Sequence, residues 1–163
     1  MSLQRLCART VFHGEFPVLL LKIFTLASMK KLLIVDDDAQ TRRLLSATFE
    51  YDYEVFQAAD GISGLKMVLD HRPDVVILDG TMPRLDGLAV LGAIKADPLL
   101  TNILVVMLSG RGQFSDLERG VELGADAYFI KPVSPKILRT WVLENLASGE
   151  RPDTLPTVIK PLH

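Results

Sequence analysis

Short apolar runs recur along the middle of the chain and are separated by stretches of mixed polarity. The runs are rich in Val, Ile and Leu with few polar alternations, which is typical of strands buried on both faces of a parallel sheet. They predict five strands, at residues 31–35, 54–58, 75–78, 103–108 and 127–130.

The stretches between these runs predict helices. Asp60 is placed to cap the second helix, and Asp97-Pro98 and Gly124 mark the ends of the third and fourth. In the first helix Leu44, Leu45 and Thr48 share a stripe that we expect to face the core. The helices are predicted at residues 39–50, 61–70, 86–96, 115–123 and 135–146.

Five β-then-α units imply right-handed crossovers. The predicted fold class is therefore α/β, a doubly wound five-stranded parallel sheet with helices on both faces. In such folds ligands bind beyond the carboxyl ends of the strands, near the point where the strand order reverses.

Residues 1–28 differ in pattern from the rest of the chain. An apolar stretch at 16–27 is too short to span a bilayer, and Glu15 and Lys22 fit a signal peptide poorly. We interpret residues 1–28 as an extension preceding a natural start at Met29. The apolar positions of 16–27 fall at helical spacing, which predicts an amphipathic helix packed on the core or on a second copy in a homodimer.

The other end of the chain, residues 148–163, carries three prolines and shows no amphipathic period. It is typical of an extended tail or a truncated linker. The domain is therefore expected to occupy residues 29–147.

Composition narrows the class of protein. The chain of 163 residues is 48% hydrophobic and 23% charged, which is ordinary for a soluble globular domain. A net charge of −2 argues against non-specific nucleic-acid binding. Cys7 is the only cysteine, which excludes an intramolecular disulfide and a cysteine-based zinc site.

Polar side chains follow four of the five predicted strands, at the edge where a ligand is expected. They are Asp36, Asp37 and Asp38 after the first strand, Asp79 after the third, Ser109 after the fourth and Lys131 after the fifth. Clustered carboxylates repel one another and favour a hard divalent cation such as Mg²⁺. A carboxylate beside Mg²⁺, a lysine and a hydroxyl is equipped for phosphoryl transfer.

The motifs at these strand ends resemble those of the receiver domain of two-component response regulators. They are Ile34-Val35-Asp36-Asp37, Asp79 with Met82-Pro83 and Asp86-Gly87, Ser109-Gly110, and Lys131-Pro132. The resemblance covers residues 29–147 with all spacings in register, and it implies a flavodoxin-like, receiver-type fold.

The resemblance also implies a role for each acidic residue. Asp79 would accept the phosphoryl group and contribute to the Mg²⁺ site. Asp37 would bind Mg²⁺ directly, Asp36 would bind it directly or through a water, and Thr81 would bind it through the backbone carbonyl.

Three further positions match residues that respond to the phosphoryl group in that family. Ser109 would contact it, and Lys131, before a proline that is often cis in the family, would pair with it. Tyr128 occupies the aromatic switch position. Phosphorylation would draw Ser109 towards the phosphoryl oxygens and let Tyr128 turn inward, which would remodel the face at residues 115–146.

By the same resemblance the phosphoryl donor is a phosphohistidine on a sensor histidine kinase or a phosphotransfer protein. The domain would catalyse only its own phosphorylation and dephosphorylation and would not be an enzyme with an external substrate. We expect a cytoplasmic protein that contacts neither membrane nor nucleic acid. Its output would be a downstream protein target or a missing output domain, and the sequence leaves both open.

Two rival functions each require a residue that the sequence lacks at the required position. A haloacid-dehalogenase-type phosphatase needs an attacking Asp two positions before Asp79, where Ile77 stands. Gly110-Arg-Gly112 lacks the remaining glycine of a nucleotide-binding loop, because Ser115 occupies that position. A receiver-like adaptor that works without phosphorylation remains the alternative.

Overall fold

Six strands form one parallel sheet in the computed structural model of the chain, which describes residues 29–110, 114–147 and 157–159. The strands are β1 (Lys31–Val35), β2 (Glu54–Ala58), β3 (Val75–Asp79), β4 (Leu104–Ser109), β5 (Ala127–Ile130) and β6 (Thr157–Ile159). Their order is β2-β1-β3-β4-β5-β6, and every neighbouring pair is parallel. The strand order reverses between β1 and β3, which creates the switch point where ligands bind in doubly wound folds.

Five helices connect the strands and cover both faces of the sheet. They are α1 (Ala39–Phe49), α2 (Gly61–His71), α3 (Gly87–Ala96), α4 (Phe114–Glu122) and α5 (Pro135–Ala147). Alternate residues of β1 enter two separate apolar cores: Leu33 packs with residues of α2 and α3, whereas Leu32 packs with residues of α1 and α5. Because both faces of the strand are buried, its sequence is apolar without alternation.

The predicted fold class and the five predicted strands are confirmed, with β3 ending one residue later than expected and β4 both beginning and ending one residue later. The prediction of a five-stranded sheet is incomplete, because residues Thr157–Ile159 of the tail add β6 beside β5. The tail therefore contributes a strand to the domain. The sequence did not predict this strand, because a segment of three residues in a proline-rich sequence shows no periodic pattern.

The buried stripe of α1 differs from the predicted one. Leu45 and Phe49 are buried, whereas the side chain of Leu44 is 55% exposed. A spacing of four residues places Leu45 and Phe49 on one line along the helix. Leu44 lies beside that line and faces solvent.

Short turns connect the strands to the following helices at the carboxyl edge of the sheet. The side chains of Asp38, Asp60 and Asp86 cap α1, α2 and α3 by accepting hydrogen bonds from backbone N–H groups in the first turn. At the start of α3, a Cβ on Gly87 would overlap the carbonyl oxygen of Asp79. Glycine therefore allows α3 to begin directly against the end of β3.

No helix among the described residues has both the length and the apolar character needed to span a lipid bilayer. The predicted amphipathic helix at 16–27 lies outside the described residues, as do residues 111–113, 148–156 and 160–163.

Candidate functional site

Two buried carboxylates lie side by side at the switch point of the sheet. Asp36 directly follows β1 and Asp79 ends β3, and the register of the two strands pairs Val35 with Leu78, the residues just before them. Asp36 is 0% exposed and Asp79 is 4% exposed, whereas Asp37 faces solvent. One carboxylate oxygen from each of these three residues lies within 4.8 Å of the others, so the predicted acidic cluster forms.

Lys131 bridges the two buried carboxylates. It follows β5, and its Nζ lies 3.0 Å from Asp36 Oδ2 and 3.0 Å from Asp79 Oδ1. Burial alone would lower the pKa of the Lys131 ammonium, but its hydrogen bonds and charge interactions with Asp36 and Asp79 outweigh burial and raise that pKa. The Lys131–Pro132 peptide bond is cis.

The environment of Asp79 leaves its carboxylate poorly stabilised. Burial raises the pKa of Asp79, and the neighbouring charge of Asp36 adds to the rise. The ammonium of Lys131 and the backbone N–H of Thr81 oppose it through hydrogen bonds, but they do not cancel it. Three carboxylates against one ammonium leave an excess of negative charge, which a divalent cation with oxygen ligands would neutralise.

Backbone contacts fix the acidic turn in place. The backbone N–H of Asp38 donates to Asp36 Oδ1 at 2.8 Å. Arg42 donates from Nη1 to the carbonyl oxygens of Asp36, at 2.7 Å, and Asp37, at 3.0 Å. The sequence did not predict this role of Arg42. The available signal was an arginine in the first turn of the helix that follows an acidic turn.

Ser109 and Thr81 lie at the same edge. Ser109 ends β4 and is buried, one residue beyond Leu108, which is the strand partner of Asp79. Its Oγ donates to the Gly110 carbonyl at 3.3 Å. The Thr81 side chain is exposed and its backbone N–H is bonded to Asp79. Both predicted residues therefore border the acidic cluster.

Tyr128 is buried inside the domain. It is 1% exposed and belongs to the core beneath α2, α3 and α4. A Cβ on Gly120 of α4 would overlap the hydroxyl and ring of Tyr128, so α4 lies directly against the tyrosine. The ring already has the inward position that the sequence analysis expected only after phosphorylation. An inward turn would therefore require that the ring first leave this site.

An ion pair that the sequence did not reveal links two loops beside the site. Asp60, which precedes α2, pairs with the guanidinium of Arg84 in the loop after β3. A backbone hydrogen bond from Ser63 is the main cause that lowers the pKa of Asp60, and Arg84 adds to it. Arg84 also adopts a positive φ of 71°. No periodicity or spacing connects the two positions in the sequence.

Comparison with known families gives one match that spans most of the described residues. The family model described as "Response regulator receiver domain" matches residues 32–143. The match includes every candidate site residue identified above.

Curated relatives share the same region. The chain is 40% identical over 129 residues to a probable transcriptional regulator, ycf27, of Cyanophora paradoxa, covering 78% of this chain and 52% of that protein. It is 38% identical over 105 residues to the DNA-binding dual master transcriptional regulator RpaA of Synechocystis, covering 64% of this chain and 44% of that protein. The chain thus spans about half the length of these curated relatives.

Solved structures share the fold. A putative response regulator from Chloroflexus aurantiacus has a TM-score of 0.69 at 33% identity, covering 74% of this chain and 99% of that one. A CheY-like response regulator receiver domain protein from Methanospirillum hungatei has a TM-score of 0.70 at 28% identity, covering 75% of this chain and 97% of that one.

Proposed function

The chain belongs to the response regulator receiver domain family, and we propose that it accepts a phosphoryl group on Asp79 in two-component signal transduction. The observation that carries this proposal is the geometry at the switch point of the sheet. The buried Asp79 carboxylate lies 3.0 Å from the Lys131 ammonium and within 4.8 Å of carboxylate oxygens of Asp36 and Asp37.

The proposed donor is a phosphohistidine on a sensor histidine kinase or a phosphotransfer protein. An oxygen of the Asp79 carboxylate attacks the phosphorus, and a P–O bond forms while the P–N bond to the imidazole breaks. The leaving imidazole nitrogen takes up a proton. Lys131 and Ser109 would stabilise the oxygens of the transferred group, because preorganised donors act most strongly where water is excluded.

The same residues fit a Mg²⁺ ion. Asp36, Asp37, Asp79 and the backbone carbonyl of Thr81 supply only oxygen ligands, which Mg²⁺ prefers, and the cluster carries excess negative charge. When bound, Mg²⁺ supplies positive charge that offsets the repulsion between the carboxylates and the phosphoryl donor. The chain on this proposal catalyses only its own phosphorylation and dephosphorylation.

Ser109 and Tyr128 are the proposed switch residues. A phosphoryl group on Asp79 adds negative charge at the edge where β4 and β5 end, and the side chain of Ser109 can turn towards it. Tyr128 of β5 lies against Gly120 of α4, so a movement of the tyrosine would alter the face that contains β5 and α4. That face, residues 115–146, is the proposed interaction surface.

The output of the phosphorylated state is a downstream protein or an output domain. Curated relatives are named as transcriptional regulators, and this chain covers about half of their length. We assign no nucleic-acid contact to the chain itself, whose net charge is −2. We propose that residues 29–147 form the body of the receiver domain, to whose sheet Thr157–Ile159 add the strand β6, and that the protein acts in the cytoplasm.

The test is covalent labelling with acetyl phosphate and Mg²⁺, followed by intact-mass measurement. The wild-type chain should gain the mass of one phosphoryl group and Asp79→Asn should not. Asp97→Asn is the matched control, because Asp97 accepts a hydrogen bond from Leu99 at the opposite end of α3. Labelling that persists in Asp79→Asn would refute the assignment. Absence of labelling in the folded wild-type chain would favour a phosphorylation-independent adaptor.

A further inference from the structure

The loop at residues 80–86, which we name the phosphoacceptor loop, connects Asp79 at the end of β3 to α3. The backbone N–H of Gly87 donates to the carbonyl oxygen of Gly80 at 3.1 Å, so the two ends of the loop are joined. Between them lies Thr81, whose backbone N–H is bonded to Asp79 and whose carbonyl oxygen is a proposed Mg²⁺ ligand. A shift of the loop would therefore move groups that border the phosphoacceptor.

The middle of the phosphoacceptor loop has a constrained backbone. The N–H of Leu85 donates to the carbonyl oxygen of Pro83 at 2.9 Å, which closes a γ-turn around Arg84. Arg84 has a φ of 71°, which residues other than glycine rarely adopt, and a γ-turn with positive φ is strained. Such a conformation persists only when surrounding contacts hold it.

Two contacts from the start of α2 hold this turn. The guanidinium of Arg84 forms an ion pair with Asp60, the residue before α2. A Cβ on Gly61 would overlap the carbonyl oxygen of Leu85, so the backbones of the helix and the loop approach closely. The start of α2 is therefore attached to the loop both by a side-chain ion pair and by backbone packing.

We propose that Arg84 is a positioning residue for phosphoryl transfer, because its ion pair with Asp60 fastens the phosphoacceptor loop to α2 and holds the backbone of Thr81 in place. Asp60 suits this role because it is itself fixed. Its Oδ1 accepts a hydrogen bond from the backbone N–H of Ser63 at 3.0 Å, and its side chain is 10% exposed. A fixed carboxylate loses little freedom on pairing, whereas pairs between two mobile side chains contribute little. The proposal rests on the function proposed for Asp79.

Two substitutions each remove the pair and spare the local backbone. In Asp60→Asn the asparagine oxygen still caps α2, and in Arg84→Gly the positive φ is readily adopted. The two substitutions change the net charge in opposite directions. If the pair acted on Mg²⁺ only through its electrostatic field, Asp60→Asn would weaken Mg²⁺ binding and Arg84→Gly would strengthen it. A positioning role predicts that both weaken it.

The first measurement is calorimetric titration of Mg²⁺ onto the full chain. The dissociation constant should rise about threefold to tenfold in each single variant, and the double variant should bind no more weakly than Arg84→Gly, because both substitutions remove one interaction. Asp70→Asn is the matched control, since Asp70 pairs with Lys66 in the same helix at 2.7 Å, and it should leave the constant unchanged. Tighter binding by Arg84→Gly, additive losses in the double variant, or unchanged binding by Asp60→Asn would overturn the proposal.

The second measurement is amide hydrogen exchange without Mg²⁺. The N–H of Thr81 should exchange about tenfold faster in Asp60→Asn, whereas the N–H of Ile77 inside β3 should keep its rate. A wild-type rate at Thr81, or equal acceleration at Ile77, would overturn the proposal. This readout needs neither Mg²⁺ nor a phosphoryl donor, so it decides whether the pair holds Thr81 in either case. Failure of the wild-type chain to bind Mg²⁺ and to be labelled would refute the proposed function instead.

Discussion

Two buried clusters of lysine and aspartate lie in this domain, and they differ in charge balance. At the carboxyl edge, Lys131 contacts Asp36 and Asp79, with 3.0 Å separating its Nζ from each carboxylate. Beneath α3, Lys95 forms an ion pair with Asp126 at 2.8 Å, and the two side chains are 11% and 7% exposed. The first cluster has more negative than positive charge, whereas the second is neutral.

The two clusters also differ in their hydrogen bonds. Asp126 Oδ2 accepts a bond from the backbone N–H of Val105 at 2.7 Å, and Lys95 donates to the carbonyl of Ile103 at 3.1 Å. These bonds tie α3 to the start of β4 and the loop before β5. A neutral pair with backbone partners stabilises packing. An unbalanced cluster open at one side is suited to bind a cation and a phosphoryl group.

The largest expected effect comes from breaking the neutral pair. Lys95→Met should lower the free energy of unfolding by about 3 kcal/mol or more, because it leaves the Asp126 carboxylate buried without its counter-charge. The control is Lys66→Met, since Lys66 pairs with Asp70 at 2.7 Å but the side chains are 76% and 51% exposed. Its cost should be far smaller, because solvent screens an exposed ion pair. Urea denaturation measures both, and equal losses would contradict a structural role for the Lys95 pair.

Mg²⁺ should act on the unbalanced cluster. At 10 to 100 times its dissociation constant, Mg²⁺ should stabilise the wild-type chain by about 1–3 kcal/mol, because it binds only the folded state. Asp37→Asn should reduce this gain. Asp38→Asn should retain it, because an asparagine oxygen still caps α1. Thermal unfolding with and without Mg²⁺ is the measurement, and a full gain in Asp37→Asn would reject Asp37 as a ligand.

Removing one charge from the cluster should stabilise the domain in the absence of Mg²⁺. Asp79→Asn should raise the free energy of unfolding at pH 7, by less than the gain expected from Mg²⁺. The pKa of Asp79 is raised in the folded state, so ionisation of Asp79 opposes folding. The gain should be complete above that raised pKa and should vanish below pH 3.8, the ordinary value, where the carboxyl is protonated in both states. If the gain in the free energy of unfolding is unchanged at acidic pH, its cause is not the ionisation of Asp79.

The smallest effect is expected from deleting residues 1–28. The residues described in the two clusters lie between Asp36 and Lys131, and the family match begins at residue 32. Labelling by acetyl phosphate should therefore stay within about twofold of the full chain, since no group at the phosphoacceptor changes. Size-exclusion chromatography of the deleted chain tests the predicted association through residues 16–27. Loss of folding or of labelling would show that the domain begins before Met29.

The residues at strand ends were predictable because their position depends on local pattern alone. The end of an apolar strand that is buried on both faces is visible in the sequence, because Asp36 or Asp79 interrupts the apolar run. Parallel strands bring their carboxyl ends to one edge of the sheet. The strand order alone does not give the contact of Lys131 with both carboxylates, because β4 lies between β5 and β3 and the lysine side chain must extend across it. The pairs Lys95–Asp126 and Arg84–Asp60 were not predictable, because each joins loops or helices that no sequence pattern links.

The sequence by itself determined the alternation of strands and helices, the edge that carries the polar residues and the family of the domain. These features depend on periodicity and spacing, which are local. Only the tertiary structure decided that Leu44 faces solvent, that Tyr128 is already buried against Gly120 and that Thr157–Ile159 joins the sheet. Each of these depends on which distant surface is available for packing. The surface that is available depends on the fold of the whole domain, because the free energy of a buried contact depends on both of its partners.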